Sequence, residues 1–226
     1  MCSNYIPPTP KDMKRVFSIE PGFEYAPETY PGQRAPMLRR GEGGELLCMP
    51  ACFGLIPHWA KDTTVARSTY NARTETVATK PSFSAAWKAA RFCLVPLQAF
   101  FEPRYFEGEK RSVRWQIARR DGEILAAAGI WAWWPHPVSG ERIESFSMLT
   151  INADSHDFMR RFHKPEDEKR TIVLLPHEAH EEWLSIEEPE AARRYLHLFN
   201  PADYDAAAAP RAPTKRGTAT AQSPLF

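Results

Sequence analysis

The sequence has few cysteines, and they do not form a metal-binding pattern. Only four are present, and Cys48 and Cys52 are the one closely spaced pair. A structural zinc site needs four ligands, which usually occur as two such pairs. We therefore expect no metal and no cofactor, and we expect reduced thiols in a cytoplasmic protein.

Long apolar runs are also absent, as is the pattern of a signal peptide. The first residues include Pro7, Pro8, Pro10 and Lys11, and nowhere do about 18 apolar residues follow one another. These absences predict that the protein is neither exported nor inserted into a membrane. The formal net charge is only +1, so binding to nucleic acid would need a local basic surface.

Glycine is scarce, with 11 residues, whereas proline is abundant, with 21 among 226. Proline interrupts helices, so short strands and structured loops are favoured. The 43% apolar content is enough for one buried core. We expect a single β-rich α+β domain over residues 1–200. The alanine-, proline- and polar-rich residues 201–226 bury too little apolar surface to fold, and we predict a disordered tail there.

Local patterns predict individual elements. Thr9-Pro10 provides a capping hydroxyl and a proline at the first helical position, so a short helix begins there. Asp121-Gly122 is a strong hairpin signal and predicts that residues 113–117 pair with residues 124–130. Residues 92–101 are nearly all apolar and predict one buried strand broken at Pro96. A further helix is predicted over residues 153–162.

Cys2 is the first candidate for chemistry, because Met1 is usually removed before so small a side chain. An α-amino group titrates at about 7.7–8.0 and a thiol near about 8.5, so both are partly reactive at neutral pH. Such a 1,2-aminothiol condenses with an aldehyde to a Schiff base, and the thiol then closes a five-membered thiazolidine. Taken alone, a cysteine at position two is more often incidental.

Other candidate residues are individually weak. Asn71 and Arg73 lie on one side of an extended segment, and the planar fork of arginine suits phosphate oxygens. Glu102 ends an apolar strand, where a carboxylate can act as general acid or base. His163 lies in a run of mixed charge, and Trp59 could stack on a base. The alternatives are a turn cap, surface ion pairs, a solvated carboxylate and a core tryptophan.

Taken in order, these segments resemble the SOS response-associated peptidase family, also called abasic site processing proteins, over roughly residues 2–185. The segments that carry the resemblance are Met1-Cys2, Gly54-Leu55-Ile56-Pro57-His58-Trp59, Asn71-Ala72-Arg73-Thr74-Glu75-Thr76, Phe92-Cys93-Leu94-Val95-Pro96, Phe100-Phe101-Glu102, Ala128-Gly129-Ile130-Trp131 and the stretch from Thr150 to His163.

The resemblance implies a barrel-like curled sheet with flanking short helices and binding to single-stranded DNA that contains an abasic site. It implies that Cys2 forms a thiazolidine crosslink with the sugar aldehyde and so shields the lesion during the DNA damage response. Glu102 would assist proton transfer, and His163 would favour the open sugar. The remaining implied contacts with the lesion or its DNA are Asn71, Arg73, Thr150 and Trp59, with Asn71 also counted among the catalytic residues.

Three positions depart from the family pattern. Asn4 stands where an arginine is usual, so the DNA contact of that arginine is missing or supplied elsewhere. Pro103 replaces a tryptophan after the glutamate. The residues after His163 form a longer loop than usual.

Two other functions remain open at this point. Cys2 could be the nucleophile of an N-terminal-nucleophile cysteine peptidase or amidohydrolase, including one that processes itself, and lyase-type activity is also expected of a Schiff-base enzyme. The chain could instead be a non-catalytic single-strand binder. We expect a monomer in each case.

Overall fold

Residues 2–109 and 111–211, the part of the chain that the computed structural model describes, contain twelve strands and three short α-helices. The strands are β1 (Tyr5–Ile6), β2 (Arg34–Arg40), β3 (Leu46–Phe53), β4 (Asn71–Arg73), β5 (Phe92–Leu97), β6 (Ala99–Arg104), β7 (Val113–Arg119), β8 (Leu125–Pro135), β9 (Arg142–Asn152), β10 (Arg170–Ile172), β11 (Leu174–Leu175) and β12 (Tyr204–Ala208). The helices are α1 (Pro10–Phe17), α2 (Ser84–Lys88) and α3 (His180–Leu184).

Five strands close into a ring. Strand β9 pairs with β3, β3 with β2, β2 with β5, β5 with β8, and β8 again with β9. Only the β3–β9 pairing in this ring is parallel. The short strand β4 also runs parallel to β9. The expected β-rich α+β domain with a barrel-like sheet is confirmed.

A second sheet of four strands, in the order β1-β6-β7-β12, packs against the ring. Their shared core is aromatic. Tyr5 of β1 meets Phe53 of β3 edge-on at 5.3 Å, and Phe53 stacks on Phe146 of β9 at 5.4 Å between ring centroids. Phe100 of β6 is buried in the same cluster. The packing fixes the second sheet, and with it the N-terminal strand, on the ring.

The helices cover a second apolar cluster of the ring. Thr9 caps α1 by accepting a hydrogen bond from the Asp12 amide, and Met13 and Phe17 are buried, as the sequence predicted. Trp87 of α2 is buried in the same cluster. None of the helices among the described residues is long and apolar enough to span a bilayer.

The apolar stretch 92–101 is two strands instead of one. Pro96 lies inside β5, opposite Ala126, and the break comes at Gln98. From there the chain leaves the ring and enters the second sheet, where the Gln98 amide donates to the carbonyl of Ile6. The sequence was misleading because both strands are buried, so apolarity continues across the junction.

The predicted hairpin around Asp121-Gly122 is wrong. Strand β7 pairs with β6 and β12, whereas β8 pairs with β5, β9 and β11. The turn itself forms, with Gly122 at φ +77°, but it connects the two sheets. Burial of each strand against distant partners outweighs the local turn preference.

The predicted helix over residues 153–162 is also wrong, since only Met159–Arg161 forms a 3₁₀ turn. His156 explains the difference. Its Nδ1 accepts hydrogen bonds from the amides of Phe158 and Met159, and its Nε2 lies 2.8 Å from the carbonyl oxygen of Phe199. A side chain that bonds nearby amides competes with the helical pattern.

The chain remains folded past residue 200, where the tail was predicted to begin. Strand β12 pairs with β7 along its length, and Tyr204 is buried with its ring 4.2 Å from that of Phe199. Alanine-rich sequence can form an edge strand, because backbone hydrogen bonds and one aromatic anchor are enough. The tail prediction for residues 212–226 lies outside the described residues.

Candidate active site

Cys2 lies in the core, with only 1% of its surface exposed. Its thiol donates to the carbonyl oxygen of Asn4 at 3.4 Å. Three residues later the chain enters β1, where Tyr5 pairs with Phe100 of β6. The register of this strand pair therefore places Cys2 beside the strand that carries Glu102.

Asn71 holds the backbone of Cys2 from the other side. It begins β4, and its Nδ2 donates to the Cys2 carbonyl oxygen at 2.9 Å. Its Oδ1 is buried, and none of residues 2–109 and 111–211 donates a hydrogen bond to it. This amide oxygen can therefore accept a hydrogen bond from a group bound next to Cys2.

Glu102 and His163 form a buried pair. Oε2 of Glu102 lies 2.7 Å from Nε2 of His163, and the two side chains are 0% and 8% exposed. His163 has φ +63°, a left-handed conformation that is uncommon outside glycine. Its amide donates to the carbonyl oxygen of Pro103 at 2.7 Å, which fastens the long loop to β6 and places the imidazole against the carboxylate.

The thiol of Cys2 is protonated at neutral pH. Burial, and then the nearby charge of Glu102, raise its pKa to about 12. The sequence-based expectation of a partly reactive thiol assumed a solvated side chain, whereas burial disfavours the charged thiolate. A thiol in this state is a nucleophile only when a base removes its proton.

Arg73 is engaged by a carboxylate of the long loop. Its side chain is 50% exposed, and its Nη1 lies 2.8 Å from Oε2 of Glu168. Glu168 also pairs with the buried Arg170, whose other partner is Glu75. Arg73 is at the surface, where a DNA phosphate could replace Glu168.

Thr150 does not reach the surface. It is fully buried opposite Arg73 in the β4–β9 pairing, and its carbonyl oxygen accepts a hydrogen bond from Arg170 at 2.8 Å. Its hydroxyl is 3.5 Å from the carbonyl oxygen of Ala72. Thr150 therefore supports Arg170, and a direct contact with a phosphate would need the strand to move.

Trp59 lies apart from the buried cluster, in the loop after β3. It is 50% exposed, and its Nε1 donates to the carbonyl oxygen of Pro81 at 3.4 Å. The ring is held at the surface, where a base could stack on it.

A cleft of about 450 Å³ opens beside Glu102. Its walls include Asn4, Pro103 and Arg114. Asn4 and Arg114 both donate to the carboxylate of Glu28, and the Arg114 guanidinium lies 3.3 Å from the ring centroid of Phe101. Nothing in the sequence pointed to the pair of Arg114 and Glu28, because 86 positions separate them in the chain.

The structure therefore brings Cys2, Asn71, Glu102 and His163 together, and it places Arg73, Thr150 and Trp59 outside this group. Within the described residues there is no cluster of three or more side chains suited to hold a metal ion. The chemistry of the group is that of a thiol, a carboxylate, an imidazole and an amide.

Comparison with known proteins gives a consistent result. The family model described as SOS response associated peptidase (SRAP) matches residues 1–214. Among relatives, the abasic site processing protein YoaM of Bacillus subtilis is 29% identical over 133 residues, which cover 59% of this chain and 54% of that protein. The abasic site processing protein HMCES of Gallus gallus is 25% identical over 181 residues, covering 72% and 52%. The chain thus spans about half the length of these two relatives.

Solved structures share the fold. A protein from Bordetella bronchiseptica superimposes with a TM-score of 0.84 at 31% identity, covering 93% of this chain and 100% of that one. A protein from Bacteroides thetaiotaomicron gives a TM-score of 0.72 at 24% identity, covering 92% and 91%. The second likeness shows the fold alone.

Proposed function

Because this chain belongs to the SOS response associated peptidase family, we propose that it recognises abasic sites in single-stranded DNA and captures the sugar aldehyde covalently through Cys2. The relatives named as abasic site processing proteins support handling of this lesion. The observation that carries the covalent step is the buried convergence of Cys2, Glu102 and His163.

The reaction uses both nucleophiles of a Cys2 terminus from which Met1 has been removed. The amine adds to the aldehyde carbon of the ring-opened sugar, and loss of one water gives a Schiff base. The thiol sulfur then adds to the imine carbon, while the thiol proton is transferred to the nitrogen. The product is a thiazolidine, and the net change is the loss of one water.

Glu102 carries the proton in this last step. The Cys2 thiol has a pKa of about 12, so little thiolate exists before the Schiff base forms. The carboxylate takes the thiol proton as the carbon–sulfur bond forms and returns it to the nitrogen. General acid–base assistance of this kind typically contributes about 10²–10⁴-fold.

His163 acts on the sugar before capture. An abasic sugar is mostly a closed hemiacetal, and its opening requires a proton to leave the C1′ hydroxyl and another to reach the ring oxygen. The imidazole can supply both transfers, and its contact with Glu102 orients it. Asn71 Oδ1 accepts a hydrogen bond from the bound sugar or amine.

Binding of the strand rests on surface groups. Arg73 exchanges Glu168 for a phosphate, and Trp59 stacks on a base. Thr150 contributes through Arg170, which it helps to position. All four residues of the reacting group come from one chain, so a monomer is sufficient.

An N-terminal-nucleophile cysteine peptidase would use the same thiol. Its first step needs a thiolate, and the raised pKa of the Cys2 thiol opposes this. In aldehyde capture the amine reacts first, and the thiol attacks an imine already held beside it. A lyase-type outcome, strand cleavage from an unclosed Schiff base, is the side reaction that ring closure prevents.

The test uses three single-stranded oligonucleotides, with an abasic aldehyde, with a tetrahydrofuran analogue that has no aldehyde, or without a lesion. Only the oligonucleotide with the abasic aldehyde should give a crosslinked band that survives denaturation, and no chemical reduction of the Schiff base should be needed to see it. Intact mass should equal protein without Met1 plus DNA less one water. The Cys2→Ala variant should bind but give no stable adduct. Retention of Met1 in active protein, or an adduct with the analogue, would contradict the proposal.

A further inference from the structure

Arg104 lies two residues after Glu102 on the same strand, and its guanidinium lies close to two neighbouring aromatic rings. Its Cζ is 4.8 Å from the centroid of Phe106 and 4.6 Å from that of Trp115. Stacking uses the flat faces of a guanidinium and leaves its N–H edge available for hydrogen bonds. Residues two apart on a strand point to one face, so Arg104 lies on the side of the sheet that carries Glu102.

Arg161 is held in a similar way just before His163. Its Cζ lies 4.4 Å from the centroid of Phe158 and 5.7 Å from that of Phe162. Its Nε donates to the carbonyl oxygen of Phe158 at 3.0 Å. This bond fixes the guanidinium and leaves its Nη groups for another acceptor.

The two arginines are neighbours across the site. Trp115, which lies beside Arg104, and Phe162, which lies beside Arg161, are in contact with each other, and their ring centroids are 6.4 Å apart. Partial burial, and then the positive charge of Arg104, lower the pKa of Arg161. The fold therefore holds two cations close enough to repel each other.

Neither arginine has a carboxylate partner in the part of the chain that the structure describes. Other arginines do, since Arg73 pairs with Glu168 and Arg160 with Asp157. The alternative is that both arginines are ordinary solvated cations at the surface. The aromatic rings beside each arginine argue against this alternative, because a solvated arginine does not need to be held in place. Two like charges that the fold holds close together favour an anion between them.

We propose that Arg104 and Arg161 together bind one phosphate of the DNA strand beside the captured sugar. This inference rests on the proposed function, since it takes the lesion to lie at Cys2 and Glu102. The chemistry recognised is a single phosphodiester held by two planar donor groups. Asn4 stands where the family usually has an arginine. Arg104 and Arg161 would provide the positive charge that is missing at that position.

Nearby carboxylates limit the site to one phosphate. A cleft of about 480 Å³ next to Phe106 is lined by Glu107, Glu109 and Glu166, with Lys164 as its one cation among the described residues. Three carboxylates repel a nucleic-acid backbone. The strand therefore touches the arginine pair and does not continue through this cleft.

The test compares Arg104→Gln, Arg161→Gln and the double variant with wild type, with Arg160→Gln as the matched control. Affinity for the abasic oligonucleotide is measured over a range of salt concentrations. If both arginines bind one phosphate, the double variant should lower the salt slope by about 0.7, the value for one contact with a single strand. Each single variant should produce most of this loss, and Arg160→Gln should produce none. Thermal unfolding checks that each variant is folded.

A second measurement locates the phosphate. Oligonucleotides with one neutral methylphosphonate at successive positions around the lesion should show one position at which wild type loses affinity and the double variant does not. An unchanged salt slope, an equal loss in Arg160→Gln, or no such position would overturn the inference. Failure of the proposed function is separate, because wild type would then bind the strand without an aldehyde-dependent adduct.

Discussion

Glu102 and His163 are 61 positions apart in the sequence, yet Oε2 of one lies 2.7 Å from Nε2 of the other. The contact does not depend on flexible side chains alone. The His163 amide bonds the carbonyl oxygen of Pro103, and a bridge joins His163 to Arg104. The backbone of the long loop is thus attached to β6 directly after Glu102, so a change in either side chain should alter chemistry more than position.

Glu102→Gln should separate chemistry from binding. The amide keeps the shape of the side chain but cannot take the thiol proton, so we expect crosslinking to slow by about 10²–10⁴-fold. Affinity for the strand should remain near that of wild type. Single-turnover crosslinking at saturating protein measures the rate, and Glu187→Gln, an exposed carboxylate outside the site, is the control. A wild-type rate would remove Glu102 from the mechanism.

His163→Ala should affect the closed sugar more than a simple aldehyde. In the proposed mechanism ring opening uses the imidazole, whereas a small aldehyde presents its carbonyl directly. We expect slower capture of the abasic oligonucleotide and little change in thiazolidine formation with a small aldehyde, both followed by mass spectrometry. His177→Ala, at an exposed position outside the site, is the control. Equal slowing of both substrates would mean that His163 acts after ring opening or only supports the fold.

The buried thiol predicts a pH dependence of stability. The pKa of Cys2 is raised to about 12 in the folded protein, and an unfolded thiol titrates near about 8.5. The pKa of the thiol is higher in the folded than in the unfolded protein. The stability that the protonated thiol contributes is therefore complete below a pH of about 8.5, and it is lost as the pH rises towards the folded pKa of about 12. Relative to Cys2→Ser, wild type should lose up to about 1.4 kcal/mol per pH unit above pH 9. Urea unfolding of both proteins at pH 8 and pH 10 measures this, and parallel curves would contradict it.

Glu168→Gln should increase affinity for DNA by removing a competitor for Arg73. An exposed ion pair is worth up to about 1 kcal/mol, so the gain should be at most about fivefold. In an Arg73→Ala background the same substitution should have no effect, and Arg73→Ala alone should lower the salt slope by about 0.7. Arg170 keeps Glu75 as a partner, which protects the fold. A gain of equal size without Arg73 would point to general repulsion by Glu168.

The sequence allowed much of the reacting group to be predicted. Cys2, Asn71, Glu102 and His163 were recognisable by the order of their motifs, and the structure brings them together. Their electrostatics were not recognisable, because the pKa of the Cys2 thiol depends on burial by residues from both sheets. Likewise the fully buried position of Thr150 and the Arg73–Glu168 pair, 95 residues apart, leave no local signal.

For the fold, local signals succeeded where local energetics decide the outcome. The Thr9 cap of α1 is of this kind. The Asp121-Gly122 turn formed but did not determine pairing, since β7 and β8 are buried against different sheets. Strand β12 was missed because its pairing with β7 is a property of the backbone and of one anchor, Tyr204.

The two-residue strand β1 sets the position of the N-terminal residues before it. Tyr5 is fixed opposite Phe100, so the number of residues before Tyr5 decides where the terminal amine and thiol arrive. One inserted residue would add about 3.3 Å of chain and reverse the faces of the side chains before it. Under the proposed mechanism any fusion tag or leader must therefore be cut to leave Cys2 as the first residue, and the spacing from Cys2 to Tyr5 matters as much as the cysteine itself.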